Sequence, residues 1–319
     1  MSLTETTELT ARLAPYQELI ESELSLIGYK SHISLFYDPI RYFLSIPGKR
    51  IRPLLVLLAA EALGQQAAHA RFAAAAVELL HNFTLVHDDI MDNDDTRRGQ
   101  LTVHKKWDMS TAILTGDGLM GFAFQKLLKS SSGDLNAMAR RFTETMIVIC
   151  EGQGQDKMFE DAGQIQEADY LEMIAHKTAV LLELSCELGA MNAQADESQI
   201  QLFKDYGYAL GMGFQIQDDL LDIMGESSAI GKAVGSDLQM HKQTILTIKL
   251  QQRYPQKNLF NLSIDAFREL LNESGVLQEV EQMYTAHFNN AYHKLDLLPA
   301  SSAKDILIQL TKFIQQRQW

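Results

Sequence analysis

Cysteine is scarce in this chain: two residues, Cys150 and Cys186, among 319. They form no CxxC pair and no Cys/His cluster, which argues against a disulfide framework, structural zinc or redox chemistry and leaves them as reduced core thiols. A chain of this length can bury a large core without such staples. Proline is also sparse, with six residues. Pro39, Pro47, Pro53, Pro255 and Pro299 stand where helices are expected to start or stop. Basic residues are outnumbered, 28 Lys and Arg against 41 Asp and Glu, for a net charge of −13. That balance lacks the basic footprint of nucleic-acid binders, so no nucleic-acid partner is expected. No run of about 18 apolar residues occurs, so no transmembrane segment is predicted. The opening stretch MSLTETTELTAR has neither the apolar centre of a secretory signal nor the basic character of a transit peptide, and the expected location is cytoplasmic. Period-two runs bounded by turn residues are missing as well, so no strands are predicted.

What remains is globular and helical. Hydrophobic residues make up 46% and charged residues 22%. Apolar residues recur at helical spacing over Ala67–Asp92, Lys105–Ser130, Leu135–Phe159, Ala168–Asn192 and Gln199–Met224, then over shorter stretches to about Gln315. No Ser/Gly linker, charge block or repeat divides the chain. The reading is one all-α domain over residues 1–319, a bundle of roughly ten or more helices.

A short acidic pattern occurs twice, as Asp88-Asp89-Ile90-Met91-Asp92 and Asp218-Asp219-Leu220-Leu221-Asp222. Residues four apart share a helix face one turn apart, so Asp88 points with Asp92 and Asp218 with Asp222. Unpaired carboxylates in that relation repel. A hard divalent cation removes the repulsion, and magnesium suits carboxylates supplemented by water and phosphate oxygens. Apolar neighbours (Phe83–Val86; Phe214 and Ile216) argue against a simple solvated acidic face. Two such helices facing each other would line a central cavity with six carboxylates: Asp88, Asp89, Asp92, Asp218, Asp219 and Asp222. Metal there could clamp a diphosphate and stabilise its departure.

Cations sit at the helix boundaries. Pro47-Gly48-Lys49-Arg50-Ile51-Arg52-Pro53 is a tight turn, and Arg97-Arg98 follow the first aspartate motif. Arginine grips phosphate oxygens bidentately and lysine acts as a mobile point charge. Lys177-Thr178 lies within a helical stretch, and Lys232 and Lys242 flank Gly235-Ser236-Asp237 beyond the second motif. Gln153-Gly154-Gln155-Asp156 puts glycine and amides into a helix, a sign of close approach by a ligand or another helix.

In this order the motifs resemble the polyprenyl synthetase family, the trans-isoprenyl diphosphate synthases, from about Tyr42 to Thr247. Gly48-Lys49-Arg50-Ile51-Arg52-Pro53 is similar to the family's GKxxRP. Glu78 to Asp92 is similar to its first aspartate-rich helix, and Arg97-Arg98-Gly99 follows. Gly116-Asp117, Gly154-Gln155, Lys177-Thr178 and Gly213 to Asp222 complete the set. The resemblance implies the all-helical isoprenoid synthase fold, a homodimer, and condensation of isopentenyl diphosphate with an allylic diphosphate. Asp88 and Asp92 would hold two magnesium ions and Asp218 a third. Asp89 and Asp222 would support them. Arg97, Lys177, Gln215, Lys232 and Lys242 would contact the allylic diphosphate; Lys49, Arg52, His81 and Arg98 would contact isopentenyl diphosphate. Thr178 and Gln215 would lie near the reacting carbons. The chain departs from the family pattern at Ala233, His241 and Leu246, which bears on the pose of Lys242.

Product length should depend on the residues below Asp88. Phe83 precedes it by five residues, about 7.5 Å along a helix, and its phenyl is expected to act as a floor. Thr84 leaves room nearer the metals. The short-chain pattern points to geranylgeranyl diphosphate, with farnesyl diphosphate as the alternative. Three rivals are weighed. A terpene cyclase would not need Lys49, Arg52, His81 and Arg98. A silent partner subunit should have lost metal carboxylates, and none is missing. A di-metal oxygen-activating bundle wants Glu and ExxH patterns.

Overall fold

The computed structural model describes residues 3–27, 32–160, 162–225 and 235–316. Helices follow one another along nearly all of them: α1 (Leu3–Leu24), α2 (Ser34–Ser45), α3 (Ile51–Ala62), α4 (Arg71–Met91), α5 (Val103–Lys106), α6 (Met109–Leu127), α7 (Leu135–Glu160), α8 (Glu167–Ile174), α9 (Val180–Asn192), α10 (Glu197–Met224), α11 (Ser236–Gln239), α12 (Ile245–Arg253), α13 (Ile264–Ser274), α14 (Val276–Asp296) and α15 (Ser302–Gln315). The all-α class read from the sequence is the class that forms.

Composition explains which helices lie inside. In α3, Leu54 to Ala60 are buried without exception, as are Ala73 to Val77 in α4. A helix apolar on all sides belongs in an interior. Small alanines let α4 pack closely with α3, α6 and α9, while α10 packs against α9 and α14. A second core gathers α8, α10 and α12 to α14, and Tyr284 packs against both cores. Side-chain caps fix several helix starts. Asp196 and Gln199 form a reciprocal capping box at α10, and the Asp108 carboxylate accepts the Thr111 N–H at 2.7 Å before α6, each satisfying an otherwise orphaned amide.

Several features differ from the sequence reading. Three helices precede Ala67. Pro39, expected at a helix boundary, lies inside α2, and Pro15 lies inside α1. Proline removes one helical hydrogen bond. In α2 the buried face of Pro39, Ile40, Phe43 and Leu44 outweighs that loss by packing against α6. The stretch expected as one helix over Ala168–Asn192 is interrupted by a π-helical turn at Ala175–Ala179. Such bulges widen the coil locally and occur often at functional sites. Two short antiparallel strands form where none was expected, Thr96–Arg97 against Gln100–Leu101, joined through Arg98 and Gly99 at φ of 52° and 74°. Of the two thiols only Cys186 is in the core, while Cys150 is exposed.

Candidate active site

Both aspartate motifs lie at helix ends, and each divides its carboxylates between the interior and the open site. Asp92 caps α4, its N–H donating to the Asp88 carbonyl at 2.8 Å. Asp89 points inward, 1% exposed, and accepts from Arg97 Nε at 2.7 Å and pairs with its Nη2 at 2.5 Å. Asp92 is paired with Lys157 Nζ at 2.9 Å and lies 3.9 Å from Lys242 Nζ. Asp88 lines a cavity of about 280 Å³. Burial pushes its carboxyl up to about 6, with Lys177 pulling it down and Asp92 adding to the rise.

On α10, Asp219 is the inward residue. It accepts from the Tyr170 hydroxyl and from Gln215 Nε2, the latter at 3.0 Å. Burial, then the neighbouring Asp237, pushes it up to about 8. Asp222 accepts from Ser236 Oγ at 2.8 Å and the Asp237 N–H at 3.2 Å, and so anchors the start of α11. Asp218 lines a second cavity, of about 190 Å³, with Lys177, Thr178, Gln215, Asp237 and Lys242. Lys177 lines both cavities, and Lys242 reaches from the second toward Asp92, so the two motifs share one cationic rim.

Among the described residues no group of three His, Cys, Asp or Glu side chains could cage a metal alone. The donor chemistry still fits magnesium, which binds through one or two carboxylates and completes its shell with water and phosphate oxygens. Asp88 and Asp92 on one side and Asp218 on the other are the residues open to that role.

Beside this rim is a larger, basic pocket of about 520 Å³ that includes Lys49, Arg52, His81 and Arg98 in its wall. Arg52 Nη1 lies 3.2 Å from His81 Nε2. Burial foremost, then Arg52 and Arg98, hold His81 well below its ordinary range, so the neutral ring accepts a hydrogen bond from the Arg52 guanidinium. Burial also lowers Arg52 to about 10. Arg98 Nη1 donates to the Pro47 carbonyl at 2.9 Å, and Lys49 Nζ stands 5.3 Å from the centre of the Phe313 ring. The third cation of this turn, Arg50, faces the interior. It pairs with Glu78 at 2.7 Å and Glu21 at 2.8 Å and adopts a left-handed φ of 50°.

Thr178 Oγ1 donates to Gln215 Oε1 at 2.9 Å, and Lys177 Nζ pairs with Asp156 at 2.5 Å. Both Lys177 and Thr178 lie in the π-turn. Close approach occurs at Gly152 rather than Gly154: a Cβ at 152 would lie 2.5 Å from the Lys177 nitrogen, whereas one at 154 meets nothing within 4 Å. Phe83 and Thr84 line the Asp88 cavity, and the Phe83 ring meets His87 edge-on at 4.8 Å. Lys232 lies outside the described residues. The sequence reading overlooked Lys157, which follows Asp156 directly, and Tyr170, which carries no local signal.

In class, this is an all-helical enzyme site that can bring two anionic groups together at the mouth of an apolar cavity. The comparisons narrow the class. The profile described as "Polyprenyl synthetase" matches residues 33–281. The geranylgeranyl diphosphate synthase of Methanosarcina mazei is 36% identical over 291 residues, covering 89% of this chain and 90% of that one. The geranylfarnesyl diphosphate synthase of Natronomonas pharaonis is 34% identical, covering 89% and 90%. The crystal structure of geranylgeranyl pyrophosphate synthetase from Pyrococcus horikoshii superposes with a TM-score of 0.90 at 34% identity, covering 98% and 99%. The chain belongs to the polyprenyl synthetase family and is a prenyltransferase.

Proposed function

We propose that this chain condenses isopentenyl diphosphate with allylic diphosphates and that its main product is geranylgeranyl diphosphate. The observation that carries the reading is the apolar cavity that begins at Asp88 and has Phe83 in its wall, beside a separate basic pocket. Lys49, Arg52 and Arg98 in that pocket take the diphosphate of isopentenyl diphosphate, with neutral His81 holding Arg52 in place. Lys177, Gln215, Lys242 and Arg97 serve the allylic diphosphate, joined by Lys232.

Asp88, Asp92 and Asp218 would hold magnesium, which would supply Lewis-acid stabilisation of the leaving diphosphate. Asp89, Asp219 and Asp222 keep the helix ends in place through Arg97, Tyr170 and Ser236. The allylic C–O bond breaks, the isopentenyl double bond forms the new C–C bond, and the proton released passes to the departed diphosphate. Thr178 and Gln215, already hydrogen-bonded to each other, present oxygens toward the cationic carbon. The buried walls exclude water that would quench it. The chain acts as a single domain in a cytoplasmic homodimer.

The test is product sizing with magnesium, labelled isopentenyl diphosphate and dimethylallyl, geranyl or farnesyl diphosphate. A twenty-carbon product is expected, and Phe83→Ala should shift the distribution to longer chains. No elongation by the folded protein would overturn the synthase reading. Elongation that stops at fifteen carbons would overturn geranylgeranyl diphosphate as the product and place the Phe83 floor nearer the metals, while an unchanged Phe83→Ala distribution would overturn the floor; neither would touch the synthase reading.

A further inference from the structure

The reaction outlined above leaves one cation of the rim without a task. Lys242, 3.9 Å from Asp92 Oδ2, serves the allylic diphosphate. Lys157, in the last turn of α7, borders the Asp88 cavity and has no part in the reaction. Its ammonium meets three acceptors. It donates to the Met91 carbonyl at 3.0 Å and to Glu160 Oε1 at 2.8 Å, and it pairs with Asp92 Oδ1 at 2.9 Å. That carboxylate oxygen is buried.

Two of the three contacts have a structural explanation. Met91 is the last residue of α4, and its carbonyl is one of the four that a helix leaves without an internal partner. A cation there also complements the negative end of the helix dipole. Glu160 lies three residues on in the same helix, a spacing at which opposite charges meet. Neither contact needs Asp92. The third joins the ammonium to a carboxylate that the reading above gives to magnesium. A divalent ion on that carboxylate and the ammonium beside it would share one negative charge and repel each other. Lys157 can release Asp92 readily, because two acceptors remain to it and its side chain is 31% exposed.

We propose that Lys157 is a positioning residue that competes with magnesium for Asp92. It holds the carboxylate and the end of α4 in place, and it lowers the affinity of the site for metal alone. Asp92 is then yielded only to a metal whose shell includes the phosphate oxygens of a substrate, so that metal and allylic diphosphate load together. The inference rests on Asp92 as a magnesium ligand.

The test is manganese(II) binding to the purified chain without substrate, read by loss of the free-ion electron paramagnetic resonance signal, together with thermal unfolding with and without the metal. Wild type is compared with Lys157→Met, Lys157→Gln and Lys129→Met. Two variants at 157 are made so that misfolding of one does not decide the outcome. Lys129 is the charge control. It is exposed and lies three residues beyond Lys126, which shares Glu23 with Arg71 at the start of α4. The length of α4, about 30 Å, separates that end from Asp92. In at least one Lys157 variant the dissociation constant is expected to fall about tenfold, and the metal should raise the unfolding midpoint further than in wild type. Lys129→Met should match wild type in both. A purely structural Lys157 predicts the opposite sign, weaker binding as the end of α4 loosens. Unchanged or weaker binding in both variants, or an equal gain in Lys129→Met, overturns the proposal. A wild type that binds no manganese(II) even with inorganic diphosphate added would instead refute the metal reading on which it rests.

Discussion

His81 and Arg52 form a pair in which one partner must stay neutral, and that has a consequence for pH. In an unfolded chain histidine titrates near about 6.5. In the fold, burial and the facing guanidinium groups of Arg52 and Arg98 hold His81 well below that. Above the unfolded value both states are neutral and the residue contributes nothing to pH dependence. As pH falls through it, the unfolded chain takes up a proton that the folded chain refuses, so stability declines. Between pH 7 and 5.5 the unfolding free energy of wild type should drop about 1.3 kcal/mol more than that of His81→Gln. Denaturant titrations at the two pH values check this, and parallel losses would mean that His81 is protonated in the fold. The same turn shows why residue type alone underdetermines a role. Arg50 and Arg52 are two positions apart and both border the pocket, yet Arg50 is paired with Glu78 and Glu21 while Arg52 meets the neutral His81 ring.

At the scale of elements, the contact between α7 and the π-turn sets the position of Lys177 and Thr178. A methyl group at Gly152 would meet backbone at Lys177 and His176, at 2.5 and 2.8 Å, atoms that cannot swing away. Gly152→Ala should cost about 1–3 kcal/mol of stability and lower kcat about tenfold or more by displacing Thr178. Gly154→Ala, whose methyl meets nothing within 4 Å although it borders the Asp88 cavity, is the control for stability and should be neutral or stabilising by up to about 1 kcal/mol. Equal behaviour of the two variants in thermal unfolding would remove the steric argument. Much of this site was readable in advance because DDxxD on a helix dictates which carboxylates share a face. The helix that carries Phe83 and Asp88 was equally plain from its apolar spacing. What could not be read is which carboxylate each motif surrenders to the interior. Adjacent residues lie about 100° apart on a helix, so both cannot face the site, and the choice depends on partners brought from elsewhere. Tyr170 reaches Asp219 across 49 residues, and nothing near either one announces the pairing. The π-turn was hidden for a related reason: its apolar pattern matches that of an ordinary helix, and only packing against Gly152 exposes the wider coil.

At the scale of the whole molecule, α6 connects the site to a surface. One face of α6 packs on α4, the helix that carries Asp88. The other presents Met109 and Ile113, which are 59 and 44% exposed and share one face a turn apart, with Leu114, 52% exposed, on the flank of that face. Leu35 on the adjacent α2 is 68% exposed as well. Apolar side chains grouped in this way favour a partner surface over water, and a second copy of the same chain would bury the patch against itself about a two-fold axis. Charges placed there would then repel their own counterparts across the axis. Ile113→Glu combined with Leu114→Glu should therefore convert a dimer into a monomer at micromolar concentration, read by light scattering coupled to size exclusion. Because α6 braces α4, the monomer should also unfold at a lower temperature than the dimer, and its turnover should fall with the loosening of the Asp88 helix end. A wild type that is already monomeric would remove the dimer from the reading. A double variant that stays dimeric with full turnover would place the interface on another face and leave α4 braced by its intramolecular contacts alone.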